Sequence, residues 1–149
     1  QVEDNQSKKS GYLNEHHRLR VSLLRTSYWI RGHFKKFFDQ FDLTQQQFNV
    51  LSVLSSEHPE ALTTKEITRW MLDPYADTSR VVDRLKKKGL VQKTVNKTDK
   101  RLVKVTITKT GLELVQTVFN QFESLDSLTD KLTPEEMEQF FSLLKKLRK

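Results

Sequence analysis

The chain has 149 residues, enough for one domain with a hydrophobic core. Lysine and arginine number 26 against 19 acidic residues, and the resulting net charge of +7 favours polyanionic partners without indicating a fold. Cysteine is absent, which excludes disulfide bonds, thiolate metal sites and cysteine redox switches.

No stretch of sequence is long and apolar enough to span a membrane, and no signal-peptide pattern begins it. We therefore expect a cytoplasmic protein with no membrane partner. The histidines, carboxylates and glycines also lack the spacings typical of zinc sites, calcium loops, phosphate-binding loops and hydrolase nucleophile elbows. We expect no metal, no other cofactor, no catalytic residues and no enzymatic activity.

The N-terminal part is predicted to be a tail followed by one long helix. Residues 1–11 are polar, and we expect them to be flexible. Apolar residues recur at spacings of three and four over 12–42, which predicts a helix of about 28 residues, roughly 42 Å long. A compact monomer cannot cover such a helix, so its surplus apolar face favours a role in dimerisation; the alternative is one long core helix.

A second helix is predicted to begin after Thr44. Thr44 and Gln47 have the spacing of a capping box, and Leu43 and Phe48 flank it as a hydrophobic staple. His58 and the proline that follows it end this helix. Its role is expected to be structural.

A second capping box, Thr63 with Glu66, predicts the start of a third helix. After Leu72, Asp73 offers an N-cap and Pro74 suits the first position of a helix. The sequence therefore predicts that a fourth helix begins here, after only a sharp turn.

This fourth helix is predicted to end at Gly89, which can adopt the left-handed cap, after three lysines that favour the negative end of the helix dipole. One side should be buried, formed by Thr78, Val81, Val82 and Leu85. The outward residues mix donors, acceptors and a small side chain, which suits DNA bases and phosphates, although an ordinary solvated face has a similar composition. They are Tyr75, Ala76, Asp77, Ser79, Arg80, Asp83, Arg84 and Lys87.

A hairpin should follow. Val91 to Val95 and Leu102 to Thr108 are rich in β-branched residues, and the polar run between them predicts a turn. Lys97, Lys100 and Arg101 make its tip basic. A basic hairpin directly after a candidate recognition helix is typical of a wing, whose tip reaches the DNA backbone or minor groove.

The remaining region, 112–149, is predicted to form C-terminal dimerisation helices. Apolar residues continue at helical spacing through Leu128, and Thr133 with Glu136 forms a third capping box that has Pro134 at the first helical position. These helices should pair with 12–42 and with their copies across a twofold axis.

The predicted fold is therefore mainly α with a small β-hairpin (α+β). It is a winged helix-turn-helix over 43–111, integrated into one domain with N- and C-terminal dimerisation helices.

Three segments resemble the MarR (multiple antibiotic resistance regulator) family. They occur in the same order and at the same spacing as in that family. They are Ser79 to Val91, Asp99-Lys100-Arg101, and Val105 to Gly111. In that family the first is the recognition helix, the second is the wing tip, and the third leads into a dimerisation helix. The resemblance is specific over about 43–111 and only architectural elsewhere.

The resemblance implies a homodimeric repressor that binds pseudo-palindromic double-stranded DNA, with half-sites about one helical turn apart. Arg84, Lys87 and Lys97 are expected to contact phosphates, and Arg101 is expected to insert in the minor groove, held by Asp99 through an ion pair. The remaining base-facing and phosphate-facing residues are expected to be Tyr75, Ala76, Asp77, Ser79 and Arg80. Because many family members carry small polar or basic residues at positions 74, 75 and 77, the resemblance does not say which bases are read.

The family often places an effector pocket between the dimerisation helices and the DNA-binding part. Candidates to line it, for a small phenolic or anionic compound, are His17, Arg25, Tyr28, Trp29 and Trp70. The favoured alternative is that the two tryptophans are packing residues.

Two other functions stay open. A winged helix can be a protein-interaction module, which predicts an acidic or apolar outer face on the second helix of the pair. A non-specific architectural DNA binder predicts similar affinity for all duplexes at fixed salt.

Overall fold

The computed structural model describes residues 11–149, so the predicted flexible tail lies outside the described residues except for Gly11. Within this range the chain forms six α-helices, three strands and one 3-10 helix over Phe122–Leu128. The α-helices are α1 (Glu15–Asp39), α2 (Gln45–Glu57), α3 (Thr64–Trp70), α4 (Thr78–Lys87), α5 (Lys109–Phe119) and α6 (Pro134–Leu147). The strands are β1 (Leu62–Thr63), β2 (Val91–Val95) and β3 (Val103–Ile107).

Helix α1 is shorter at both ends than the predicted range of 12–42. It begins after Asn14, whose side chain accepts a hydrogen bond from the amide of His17 at 2.8 Å. It ends at Asp39, and Asp42 then takes a left-handed conformation with φ of 53°. The amide of Leu43 donates back to the carbonyl of Phe38, so the chain reverses directly into α2.

All three predicted capping boxes form. In each, the threonine hydroxyl accepts from an amide three residues later, and the side chain of that later residue accepts from the threonine amide. The pairs are Thr44 with Gln47, Thr63 with Glu66, and Thr133 with Glu136.

The sheet is antiparallel with the strand order β1-β3-β2. The hairpin forms as predicted, with Val91 opposite Ile107 and Val95 opposite Val103. Strand β1 was not predicted, because two residues are too few to show a period; Leu62 pairs with Val105 of the central strand.

Helix α2 lies at the centre of the core and packs against α1, α3, α4, α5 and β3. Its Val50, Leu51 and Leu54 are completely buried. Around them lie other fully buried side chains, namely Ile67, Val82, Leu85, Val105 and Val118. The structural role expected for α2 is thus confirmed: it supports α4 from behind.

The prediction of a continuous helix through Leu128 is wrong. Helix α5 ends at Phe119, and a 3-10 helix covers Phe122–Leu128. Its half-buried apolar residues Phe122, Leu125 and Leu128 are three apart, a spacing that aligns side chains along a 3-10 helix. The Phe122 ring contacts the Phe48 ring with 5.4 Å between centroids, so core packing accounts for the change of helix type.

No helix within residues 11–149 has the length and apolar character that crossing a membrane requires.

Candidate nucleic-acid interface

The connection between α3 and α4 is longer than the predicted sharp turn. Helix α4 begins at Thr78, not next to Pro74. The side-chain carboxylate of Asp73 accepts a hydrogen bond from the amide of Tyr75 at 2.9 Å. The backbone carbonyl of Asp73 accepts another from the amide of Ala76 at 3.2 Å. Asp73 therefore closes a local turn instead of capping a helix, and the prediction that Pro74 opens α4 is wrong.

Asp77 is the N-cap that α4 uses. Its carboxylate accepts from the amide of Arg80 at 3.1 Å, at the helix end where negative charge is favoured. The next residue, Thr78, is buried, and its hydroxyl lies 2.6 Å from the hydroxyl of Thr68 in α3. These two contacts set where α4 starts and how it sits against α3.

The two faces of α4 are divided as predicted. The buried side consists of Thr78, Val81, Val82 and Leu85. Ser79, Arg80, Asp83, Arg84 and Lys87 are exposed, as are Tyr75 and Asp77 before the helix. Ala76, expected to be outward, is half-buried against the core because the Asp73 turn draws it inward.

The C-terminus of α4 is closed as predicted. Gly89 has a φ of +73°, its amide donates to Lys86, and the amide of Leu90 donates back to Leu85. The ammonium group of Lys88 bonds to the carbonyl oxygen of Asp42, which ties α4 to the α1–α2 connection. Sequence reasoning missed this contact, because the partners are 46 residues apart.

Asp83 is the acidic residue on the exposed face of α4, and it is paired with Lys93 of β2. The hydrogen bond from Lys93, and then its positive charge, lower the pKa of Asp83 below its usual range. The pair joins α4 to the hairpin and offsets a charge that would otherwise repel phosphates. Lys93 was not singled out in the sequence.

The wing tip is an ordered turn. The side-chain oxygen of Asn96 accepts from the Thr98 amide at 2.9 Å and from the Thr98 hydroxyl at 2.7 Å. The carboxylate of Asp99 accepts from the amide of Arg101 at 3.0 Å and from its Nε at 3.2 Å. The expected ion pair between Asp99 and Arg101 is therefore present, while 92% of the Arg101 side chain stays exposed.

The exposed face of α4 and the wing tip thus present cations on two neighbouring elements. They are Arg80, Arg84 and Lys87 on the helix, and Lys97, Lys100 and Arg101 on the wing. A helix about 10–12 Å across fits the major groove, which is about 12 Å wide, and a short basic hairpin beside it reaches the flanking backbone or minor groove.

Comparison with known proteins agrees with this geometry. A family model described as MarR family matches residues 41–102. The transcriptional regulator PapX of Escherichia coli is 27% identical over 147 residues, which cover 98% of this chain and 90% of PapX. A crystal structure of a MarR mutant from E. coli complexed with operator DNA has a TM-score of 0.80 and 26% identity, and covers 93% of this chain and 99% of that one.

This chain belongs to the MarR family. A further similar structure is that of BpsR from Bordetella bronchiseptica, with a TM-score of 0.78, 26% identity, and coverage of 89% of this chain and 99% of that one. The subject of that structure is the regulation of BpsR DNA binding by 6-hydroxynicotinic acid. The chain is a DNA-binding transcription regulator of the MarR type and not an enzyme.

The five residues predicted to line an effector cleft are spread along α1 and the end of α3. The Trp29 ring meets the His33 ring edge-on at 5.0 Å, and His17 accepts a hydrogen bond from the amide of Leu13. Arg25, Tyr28 and Trp70 are exposed. Their role in ligand binding stays a prediction.

A different set of residues lines an apolar cleft of about 490 Å³ between α1, α2 and the 3-10 helix. None of the five predicted residues lines it. Its walls include Ile30, Phe34, Phe48, Phe119 and Phe122. The sequence showed these residues only as helical apolar positions, which do not distinguish a cleft wall from a core side chain.

Proposed function

We propose that this MarR-family protein is a homodimeric repressor that binds a pseudo-palindromic operator with sequence specificity. The observation that carries the proposal is the pairing of an exposed basic face on α4 with a wing tip whose Arg101 is held in place by Asp99. The likeness to MarR complexed with operator DNA supports this use of the two elements.

In this proposal α4 enters the major groove. Ser79 and Arg80 lie on its first turn, and Tyr75, Ala76 and Asp77 lie on the turn before it, so all five belong to the end of the helix nearest the bases. Tyr75 is 93% exposed, which suits a contact with DNA better than a role in the core. Ala76 is half-buried and contributes at most its methyl group.

The remaining contacts are assigned to the backbone and minor groove. Arg84 and Lys87 on α4 and Lys97 on the wing contact phosphates, which position the protein without reading sequence. Arg101 enters the minor groove, where negative potential attracts arginine. Asp99 reduces the freedom that the Arg101 side chain loses on binding.

The dimer is proposed from apolar residues that the single chain leaves uncovered. Helix α6 exposes 51% of Phe140, 62% of Phe141 and 57% of Leu147. Helix α1 exposes 51% of Leu19 and 49% of Trp29. A twofold pairing of these terminal helices would cover both faces and place two copies of α4 on successive half-sites.

A small-molecule effector is proposed to act at the apolar cleft between α1, α2 and the 3-10 helix. Neither lysine nor arginine lines this cleft, while Asp126 does, so an uncharged phenolic compound fits it better than an anion. 6-Hydroxynicotinic acid, which regulates DNA binding by BpsR, supports a small aromatic hydroxy compound as the ligand class; its carboxyl group is a feature that the apolar cleft of this chain does not match. Release of DNA requires that the ligand bind the DNA-free conformation more tightly.

The proposal is tested by selecting bound duplexes from a randomised DNA library at near-physiological salt and sequencing them. An enriched inverted repeat with centres about one turn apart is expected. Binding without enrichment would favour the architectural alternative, since backbone contacts alone give similar affinity for all duplexes. Failure to bind any duplex would favour the protein-interaction module.

A further inference from the structure

A polar cleft of about 570 Å³ lies between α1, the start of α2 and the first half of α4. Three arginines from two helices line it: Arg31 of α1, and Arg80 and Arg84 of α4. None of the three forms an ion pair with another residue in the part of the chain that the structure describes. Asp77 lies at the same cleft, so three cations face one anion.

The carboxylate of Asp77 is already engaged, because it accepts the Arg80 amide as the N-cap of α4. The guanidinium group of Arg31 lies 6.0 Å from the centre of the Tyr28 ring, one turn earlier on α1. This contact restricts the Arg31 side chain without neutralising it. The cleft therefore keeps unneutralised guanidinium groups, whose planar donors match the oxygens of a phosphate.

We propose that this cleft binds one phosphate group of the DNA backbone, so that Arg31 extends the DNA contact from the winged helix onto α1. The proposal rests on the DNA binding proposed above. Arg80 and Arg84 are four residues apart, so they lie on the same side of α4, toward Arg31. When α4 occupies a major groove, the phosphates that border the groove pass along such a side of the helix.

The charges also favour this occupant. A cleft lined by one sign of charge concentrates its field and attracts the opposite charge. The sequence did not indicate this role for Arg31, because it lies in a predicted dimerisation helix far along the chain from α4.

The test compares Arg31→Ala with the wild-type protein in fluorescence anisotropy titrations of DNA over a series of salt concentrations. The variant should bind about tenfold more weakly at near-physiological salt, on all duplexes alike, and its salt slope should be smaller by about one. Arg31→Lys should keep most of the slope, because it keeps the charge. Thermal midpoints should be unchanged, since Arg31 is exposed.

Arg20→Ala is the matched control. Arg20 is also an exposed arginine on α1, eleven positions before Arg31, which is roughly 16 Å away along a helix. The Arg20→Ala variant should bind DNA as tightly as the wild type does. Equal losses in the two variants would reduce the effect to net charge and overturn the proposal, as would unchanged affinity and slope in Arg31→Ala.

A second titration distinguishes the DNA backbone from a free oxyanion. Inorganic phosphate is added to the protein–DNA complex at constant ionic strength. If phosphate displaced DNA from the wild type but not from Arg31→Ala, while both showed the same salt slope in chloride, the occupant would be a free anion and the proposal would be overturned. If the wild type bound no duplex, the proposed function would fail and this proposal with it, whereas equal DNA binding by the wild type and Arg31→Ala would overturn this proposal alone.

Discussion

Arg101 is the residue whose surroundings most directly suggest a contact with DNA. Its side chain is almost fully exposed, yet the Nε of Arg101 donates a hydrogen bond to the Asp99 carboxylate, which also accepts from the Arg101 amide. Arg101→Ala should weaken binding to the selected operator by about 1–3 kcal/mol. The thermal midpoint should hardly change, because the side chain contributes nothing to the core. Loss of folding, or unchanged affinity, would contradict the assignment.

Asp99→Ala separates the positioning of Arg101 from simple charge. Removing an acidic residue near DNA should strengthen binding if only long-range electrostatics matter. If Asp99 positions Arg101, the same change should weaken binding, though by less than Arg101→Ala does. The sign of the change in anisotropy titrations of the operator therefore decides between the two roles.

Asp83 gives a prediction about pH. Lys93 lowers the pKa of Asp83 in the folded protein, so the pair stabilises the fold above the unfolded pKa, about 3.9, and loses this effect as the pH falls further. Asp83→Asn should have a slightly lower thermal midpoint than the wild type at pH 7. Measured down to about pH 2, the two midpoints should converge. A constant difference at every pH would show that the pair has no electrostatic effect on stability.

At the scale of elements, two helical glycines are expected to respond in opposite ways to alanine. A Cβ on Gly111, in the first turn of α5, would overlap the carbonyl oxygen of Leu90 and lie 2.7 Å from Cγ1 of Ile107. The backbone oxygen cannot move without shifting the end of α4, so Gly111→Ala should destabilise the protein by about 1–3 kcal/mol.

Gly32 is the matched control, because it lies inside α1 and, apart from its chain neighbours and the nearby backbone of the same helix, no atom lies within 4 Å of an added Cβ. Gly32→Ala should stabilise the protein by about 0.5–1 kcal/mol through the higher helix propensity of alanine. Urea unfolding of both variants measures the two changes. Similar effects at the two positions would mean that the close approach at Gly111 is not what requires glycine there.

At the scale of the whole molecule, the uncovered face of α6 predicts the oligomeric state. Phe141→Glu should convert a dimer to a monomer in sedimentation experiments, since it places a charge in a face that pairing would bury. Operator affinity should fall steeply, because the two half-sites would no longer be bound by linked copies. Gln139→Glu adds the same charge on the opposite side of α6 and should leave the dimer intact.

The sequence by itself determined the features that depend on residues a few positions apart. The three capping boxes join residues three positions apart, and the cap at Gly89 involves the last turn of α4. The buried side of α4 follows from helical periodicity, and the Asp99–Arg101 pair lies within one turn. Because the bonds that form these features are local, residue types at fixed spacings were sufficient to predict the caps and the buried side of α4, and the family resemblance implied the Asp99–Arg101 pair.

Only the tertiary structure decided the features that depend on packing between distant segments. Strand β1 exists because β3 pairs with it, and a 3-10 helix follows α5 where Phe122 packs on Phe48. The sequence predicted Asp73 as the N-cap of α4, whereas in the structure Asp77 caps this helix and Thr78 contacts Thr68 of α3.

The contacts around the proposed DNA-binding surface also depend on packing between distant segments. Lys88 bonds to Asp42, and Arg31 shares a cleft with Arg80 and Arg84, although these partners are far apart in the chain. No local spacing brings such residues together; the burial of α2 against α1 and α4 does so. The sequence therefore determined which residues are suited to bind DNA, and the packing of the helices decided which of them share one surface.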